Sequence, residues 1–150
     1  MKNHLSIAAI LALILVVVGC SVLESKTESP LSAASPTAVY TEYIEAAQVK
    51  DTKRMKSLMS KRSNRLAAKL AKERKLTIDQ FLKAFQEKRG FKLKLRNEKI
   101  EGDIAILEEI HENKFWYAVV LIKEEGMWKY AADKTQEERR KRLREDRVTQ

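Results

Sequence analysis

The side chains of this chain that could do chemistry are few, and each has a plainer use beside the chemical one. General acid–base catalysis needs a titratable group poised near neutral pH and held by a partner. The two histidines are His4 and His111. His111 sits in Ile110-His111-Glu112-Asn113, a turn signal between apolar runs, where a histidine is ordinarily solvated. Glu101 and Asp103 flank Gly102 and could act as a carboxylate pair, but Gly-Asp is equally the chemistry of a backbone bend. Tyr40 and Tyr43 share one helix face by spacing, and a phenol there is either a proton donor or a core filler with one hydrogen bond. The single cysteine, Cys20, and scattered carboxylates offer no metal-ligand spacing. Gly19, Gly90, Gly102 and Gly126 are isolated, so no glycine-rich loop cradles phosphate. The expectation is a chain with no catalytic set, no metal and no cofactor.

Charge is more unusual. The chain has 30 Lys and Arg against 21 Asp and Glu. Residues 50–99 hold 18 basic and five acidic residues, whereas residues 100–134 hold four and eight. Lys61, Arg62, Arg65, Lys69 and Lys72 fall in the basic segment and form a candidate anion-binding patch. Such a patch draws polyanions or anionic headgroups and weakens with salt. Its plainer use is a solvated helix face.

The N-terminus bears on which anion that would be. Lys2 precedes an apolar run over residues 5–18, which ends at Gly19-Cys20. The run is fourteen residues long, where a membrane-spanning helix needs roughly 20 and a signal core runs to about 15. Val17-Val18-Gly19-Cys20 resembles the bacterial lipobox. The resemblance implies that residues 1–19 are a signal peptide removed on export. It also implies that Cys20 carries acyl chains and that the protein is tethered to a membrane outside the cytoplasm. That face is periplasmic on the outer membrane of a diderm cell, or external on the cell membrane of a monoderm. In that location the basic segment would meet an anionic lipid, a wall polymer or an acidic protein rather than nucleic acid. With one cysteine, no intramolecular disulfide can form.

Elements follow from patterning. Residues 20–34, rich in Ser, Thr, Glu and Pro, read as a flexible tether. Residues 35–134 are enough for one modest domain, and residues 135–150 form a charged tail that is helical or disordered. Ser35-Pro36 is a helix start, followed by Val39, Tyr40, Tyr43, Ile44 and Ala47 on one stripe. Asp51 caps further helix bearing Met55, Leu58 and Met59, with more turns through Leu66 and Leu70. Thr77 and Gln80 make a capping box ahead of Phe81, Leu82 and Phe85, and Gly90 suits a helix end. Beyond it the period changes to two: Phe91, Leu93 and Leu95 alternate with basic residues. Further runs over residues 104–110, 115–122 and 127–130 are separated by turn signals at Gly102-Asp103, Glu112-Asn113 and Glu125-Gly126. Helices followed by meandering strands predict an α+β fold, with N-terminal helices packed on an antiparallel sheet.

These blocks resemble small bacterial lipoproteins of unknown function in the nuclear transport factor 2-like, or cystatin-like, superfamily. The matching pieces are Ser35-Pro36 leading to Val39, Tyr43 and Ala46, the Lys50-Asp51 junction with Arg54-Met55, Gly102-Asp103 with Ala105, and Val120-Leu121-Ile122-Lys123-Glu124 with Gly126 and Trp128-Lys129. The resemblance implies a cone in which a curved sheet wraps a long helix, with a mouth that can hold a ligand. Tyr40, Tyr43, Phe81, Phe85 and Trp128 are then the candidate cavity-lining residues. The expected function is a membrane-anchored, non-enzymatic binding module, with a small cavity-based hydrolase or isomerase, or a structural homodimer, as the alternatives.

Overall fold

The computed structural model describes residues 34–86, 93–110 and 115–148. Four helices come first: α1 (Pro36–Gln48), α2 (Thr52–Leu58), α3 (Lys61–Glu73) and α4 (Ile78–Gln86). Four strands follow, β1 (Leu95–Glu101), β2 (Ile104–Ile110), β3 (Trp116–Glu124) and β4 (Met127–Tyr130), and then α5 (Ala132–Val148). The strands form one antiparallel sheet in the order β1-β2-β3-β4. The fold is therefore α+β, and its arrangement is consistent with the nuclear transport factor 2-like one.

Local chemistry sets the helix starts. Ser35 accepts a hydrogen bond from the Ala38 amide, and Pro36 occupies the first turn of α1. Asp51 accepts from the Arg54 amide at 2.9 Å. Thr77 and Gln80 cap each other reciprocally, at 2.9 and 3.1 Å. The helical run after Asp51 is interrupted at Met59-Ser60. Met59 turns extended and bridges to Tyr130, and Ser60 starts α3 by accepting from the Ser63 amide.

The stripe read on α1 is the centre of the core. Val39, Tyr40, Tyr43, Ile44 and Ala47 are all buried, beside Met55 and Leu58 of α2 and Ala105, Leu107, Val119 and Leu121 of the sheet. The rings of Tyr43 and Tyr130 lie 4.7 Å apart between centroids. The β3–β4 hairpin turns on Glu125 and Gly126, both at positive φ, as a two-residue hairpin demands.

Two elements differ from expectation. The first strand runs from Leu95 to Glu101, through a charged stretch, with Leu93 and Lys94 outside it. A register shift between Arg96 and Lys99, with Asn97 at φ 54°, marks it as an irregular, charged edge, the usual protection of a sheet margin. Phe91, Gly90 and the Glu112-Asn113 turn lie outside the described residues. Phe115, read as a strand residue packing on the sheet, precedes β3 and is 67% exposed.

The second difference is α5. It crosses residues 134 and 135, where the domain was expected to give way to a tail, and it packs along β3. β4 pairs only with residues 121–124 of β3, which leaves the preceding edge unpaired. α5 and the residue before it supply the missing partners. The Val120 amide donates to Thr135 Oγ1 at 2.9 Å, the Ala131 amide donates to the Val120 carbonyl, and Arg139 Nε donates to the Ala118 carbonyl at 2.7 Å. An open edge is thus closed by helix side chains in place of a fifth strand.

Candidate functional site

α3 and α5 start side by side. Ser63 of α3 accepts from the Ala132 amide at 2.8 Å and donates to the Asp133 carboxylate at 3.0 Å, and Arg62 Nε lies 2.9 Å from that carboxylate. Between the two helices lies a half-open cleft of about 120 Å³. Leu66, Ala67 and Leu70 of α3 form one wall, and Thr135, Gln136 and Arg139 of α5 form the other. Tyr43, Met59, Phe81, Leu82 and Tyr130 close it.

Of the five candidate cavity residues, the structure therefore brings Tyr43 and Phe81 to the cleft. Tyr40 and Trp128 are buried in the core and do not line it. The Phe85 side chain lies outside the described residues. Tyr130, Gln136 and Arg139 line the cleft in addition, and no sequence reading had placed them there.

Behind the cleft is a buried polar cluster. Tyr40 Oη donates to Glu109 Oε2 at 3.0 Å, and Arg139 Nη2 stands 3.5 Å from the same oxygen. Tyr40 and Glu109 are 0% exposed, and the Arg139 side chain is 26% exposed, with its guanidinium over the Tyr117 ring. A buried carboxylate is tolerable only when paired and hydrogen-bonded. A signal for Glu109 existed in the sequence: Ala105, Leu107 and Glu109 alternate, so Glu109 shares the inward face of β2. Nothing local marked Arg139, one of many charged residues on a polar helix.

On the outer face, Glu108 accepts from Arg96, Asn97 and Arg142. Partial burial pushes the Glu108 carboxyl up, but these three hydrogen bonds outweigh it and leave its pKa below the ordinary value. For Arg142, burial is again the largest single effect and lowers the pKa; Glu138 and Glu108 outweigh it and raise it.

The five candidate anion-binding residues all lie on α3 and are exposed. Lys61, Arg65, Lys69 and Lys72 follow one another at helical spacing, opposite the buried Ser63, Ala67 and Ala71. Two of the five are already matched. Lys61 pairs with Glu125, whose hydrogen bond and charge hold the ammonium above its ordinary pKa. Arg62 pairs with Asp133 and reaches Glu137 at 3.8 Å. Lys69 stands 4.0 Å from Glu73, an exposed pair of little strength. Arg65 and Lys72 make no ion pair among the described residues.

Glu101 and Asp103 are both exposed at the β1–β2 turn. His111 and Cys20 lie outside the described residues. Among the described residues, no group of His, Cys, Asp or Glu is placed to hold a metal ion. Nor, among them, is any helix long and apolar enough to cross a membrane.

A helical layer on an antiparallel sheet whose open edge is closed by a C-terminal helix defines the class of this protein. Over residues 32–147, which take in every described element but the final residue of α5, the chain matches the family described as protein of unknown function (DUF2950), and it belongs to that family. No curated protein and no solved structure matches it.

Proposed function

We propose that this chain is a lipid-anchored protein of the bacterial cell envelope, whose nuclear transport factor 2-like domain is a non-enzymatic binding module for anionic envelope surfaces. The observation that carries this reading is the α3 face, where Arg65, Lys69 and Lys72 stand exposed in one stripe and two of them make no ion pair among the described residues. The Val17-Val18-Gly19-Cys20 sequence supports the anchor. A tethered domain meets anionic headgroups at high local concentration, and each basic side chain near such a surface contributes about 1 kcal/mol.

The cavity enzyme that the resemblance also suggested would need a phenol and a carboxylate reachable by substrate. Tyr40 and Glu109 do meet, but both are fully buried and neither lines the cleft. Their geometry suits a structural pair, which favours the binding module.

The test uses residues 20–150 with Cys20→Ser, so that no acyl chain contributes, floated with phosphatidylglycerol-containing vesicles over a salt series. The combined variant Arg65→Glu, Lys69→Glu and Lys72→Glu leaves Lys61 and Arg62, which hold acidic partners, untouched. Vesicle affinity should fall by about 100-fold or more at low salt. Equal binding by the variant, or binding insensitive to salt, would remove α3 as the contact face.

A further inference from the structure

A second, half-open groove of about 470 Å³ runs along another flank of α5, over the outer face of the sheet. We propose that it binds a single aliphatic chain bearing one terminal anionic group, the chain laid over β2 and the anion held by Lys141 and Arg144.

The floor of the groove is aliphatic. Ala105, Leu107 and Glu109 of β2 are buried on the core side, so the alternate residues Ile104 and Ile106 face outward. Val120, the register partner of Ile106, extends the floor onto β3. Ile104 is 42% exposed, a large apolar side chain left partly in water. α5 packs on β3, and its flank forms the charged wall of the groove.

The wall carries unbalanced positive charge at one end. Its two acids are matched elsewhere: Glu138 holds Arg142 at 3.0 Å, and Glu137 reaches Arg62 at 3.8 Å. Lys134 and Arg144 make no ion pair among the described residues. Lys141 has only an exposed contact to Glu145 at 4.0 Å, a pair of little strength. One further acid, Glu101, lines the groove, and it stands opposite Ile104 in the β1–β2 register. Thr135, Arg139 and Arg142 meet Val120, Ala118 and Glu108 in turn, so α5 runs away from Glu101. Lys134 therefore lies at the Glu101 end and offsets it, while Lys141 and Arg144 lie at the far end. No lining residue holds a buried side-chain polar atom that lacks a partner, so the groove makes no competing polar demand on an apolar body.

The backbone decides against an acidic peptide as the occupant. β2 is paired with β1 on one edge and β3 on the other, so an extended peptide over Ile104 and Ile106 would find no main-chain partner beneath it. An aliphatic chain needs none. The groove's volume falls within the usual range of small-molecule sites, about 300–1,000 Å³.

The test is calorimetric titration of residues 20–150, carrying Cys20→Ser, with n-alkanoates from hexanoate to decanoate below their micellar concentrations. A half-open groove covers about half of each methylene, so affinity should rise about twofold per added carbon. The alkanol of equal length should bind several-fold more weakly. Lys141→Gln with Arg144→Gln should erase that preference for the anion and leave the slope with chain length intact. Ile104→Ser should weaken alkanoate and alkanol alike. Methyl chemical shifts on the otherwise unaltered chain locate the ligand even where a variant fails to fold: Ile104 and Ile106 should move with decanoate, and Leu66 and Leu70 of the α3 cleft should not. Equal affinity for alkanol and alkanoate, affinity independent of chain length, or shifts confined to residues outside the groove would each overturn the proposal. Arg65, Lys69 and Lys72 are untouched by these variants, so this site and the vesicle contact fail separately.

Discussion

Replacing Arg139 by Met should be among the most damaging single changes outside the apolar core. Arg139 makes two polar contacts to the sheet, besides lying over the Tyr117 ring: Nε with the Ala118 carbonyl at 2.7 Å and Nη2 with the Glu109 carboxylate at 3.5 Å. Met keeps the length of the stem and removes both. Glu109, 0% exposed, would then keep the Tyr40 hydroxyl and lose the Arg139 guanidinium. Removing one member of a fully buried pair costs about 3–5 kcal/mol. The Arg139 side chain is 26% exposed, so the pair is partly screened and the lower end applies, about 3 kcal/mol. In a domain of this size that is a fall in melting temperature of roughly 10–15 °C. A double-mutant cycle with Glu109→Leu isolates the pair, because the loss of an acceptor for Tyr40 enters both arms alike and cancels. Urea denaturation of the four proteins should give a coupling of about 2 kcal/mol, with the double variant more stable than the sum of the singles predicts. A cost below about 1 kcal/mol for Arg139→Met, or strict additivity, would show that the Arg139–Glu109 contact does not stabilise the fold and would refute the reasoning.

Two further outcomes follow from the same helix. Thr135→Val leaves the Val120 amide without its acceptor at a buried position, which should cost about 1–3 kcal/mol and speed hydrogen exchange at that amide; unchanged exchange would mean that Thr135 does not protect the edge. Glu108 is held below its ordinary pKa of 4.5 in the folded state, so its stabilising contribution is present above that value and is lost as pH falls through the lower folded one. Acid unfolding of Glu108→Gln should accordingly show a shallower pH dependence below about pH 4.5, and identical slopes would discard the Arg96, Asn97 and Arg142 contacts as stabilising.

Legibility in the sequence tracked the range of the interaction involved. The caps at Ser35, Asp51 and Thr77 were readable because a side chain and an amide three residues on are neighbours in any helix start. The Tyr40–Tyr43 stripe was readable because apolar spacing reports one face directly. The break at Met59-Ser60 was not, because what halts the helix is a bridge to Tyr130, seventy-one positions away. The alternation that marked the first strand ended near Leu95, whereas the described strand continues from there through charged residues that pair with β2 as an irregular edge. The cleft was half legible. Tyr43 and Phe81 came from core-facing periodicity, whereas Gln136 and Arg139 belong to a helix whose composition reads as solvated.

By itself, then, the sequence determined that helices precede the strands, the caps that start the early helices, the inward stripe of α1 and the basic stripe of α3. Each of these depends on residues a few positions apart, and local sterics and periodicity report them faithfully. Only the tertiary structure decided that α5 belongs to the domain. A helix this polar has no apolar stripe to announce a docking face, and it docks because β3 outruns β4 and leaves an edge whose amide and carbonyls need partners. That pairing brings Arg139 to Glu109 and places α5 across from α3, and the cleft exists only because both have happened.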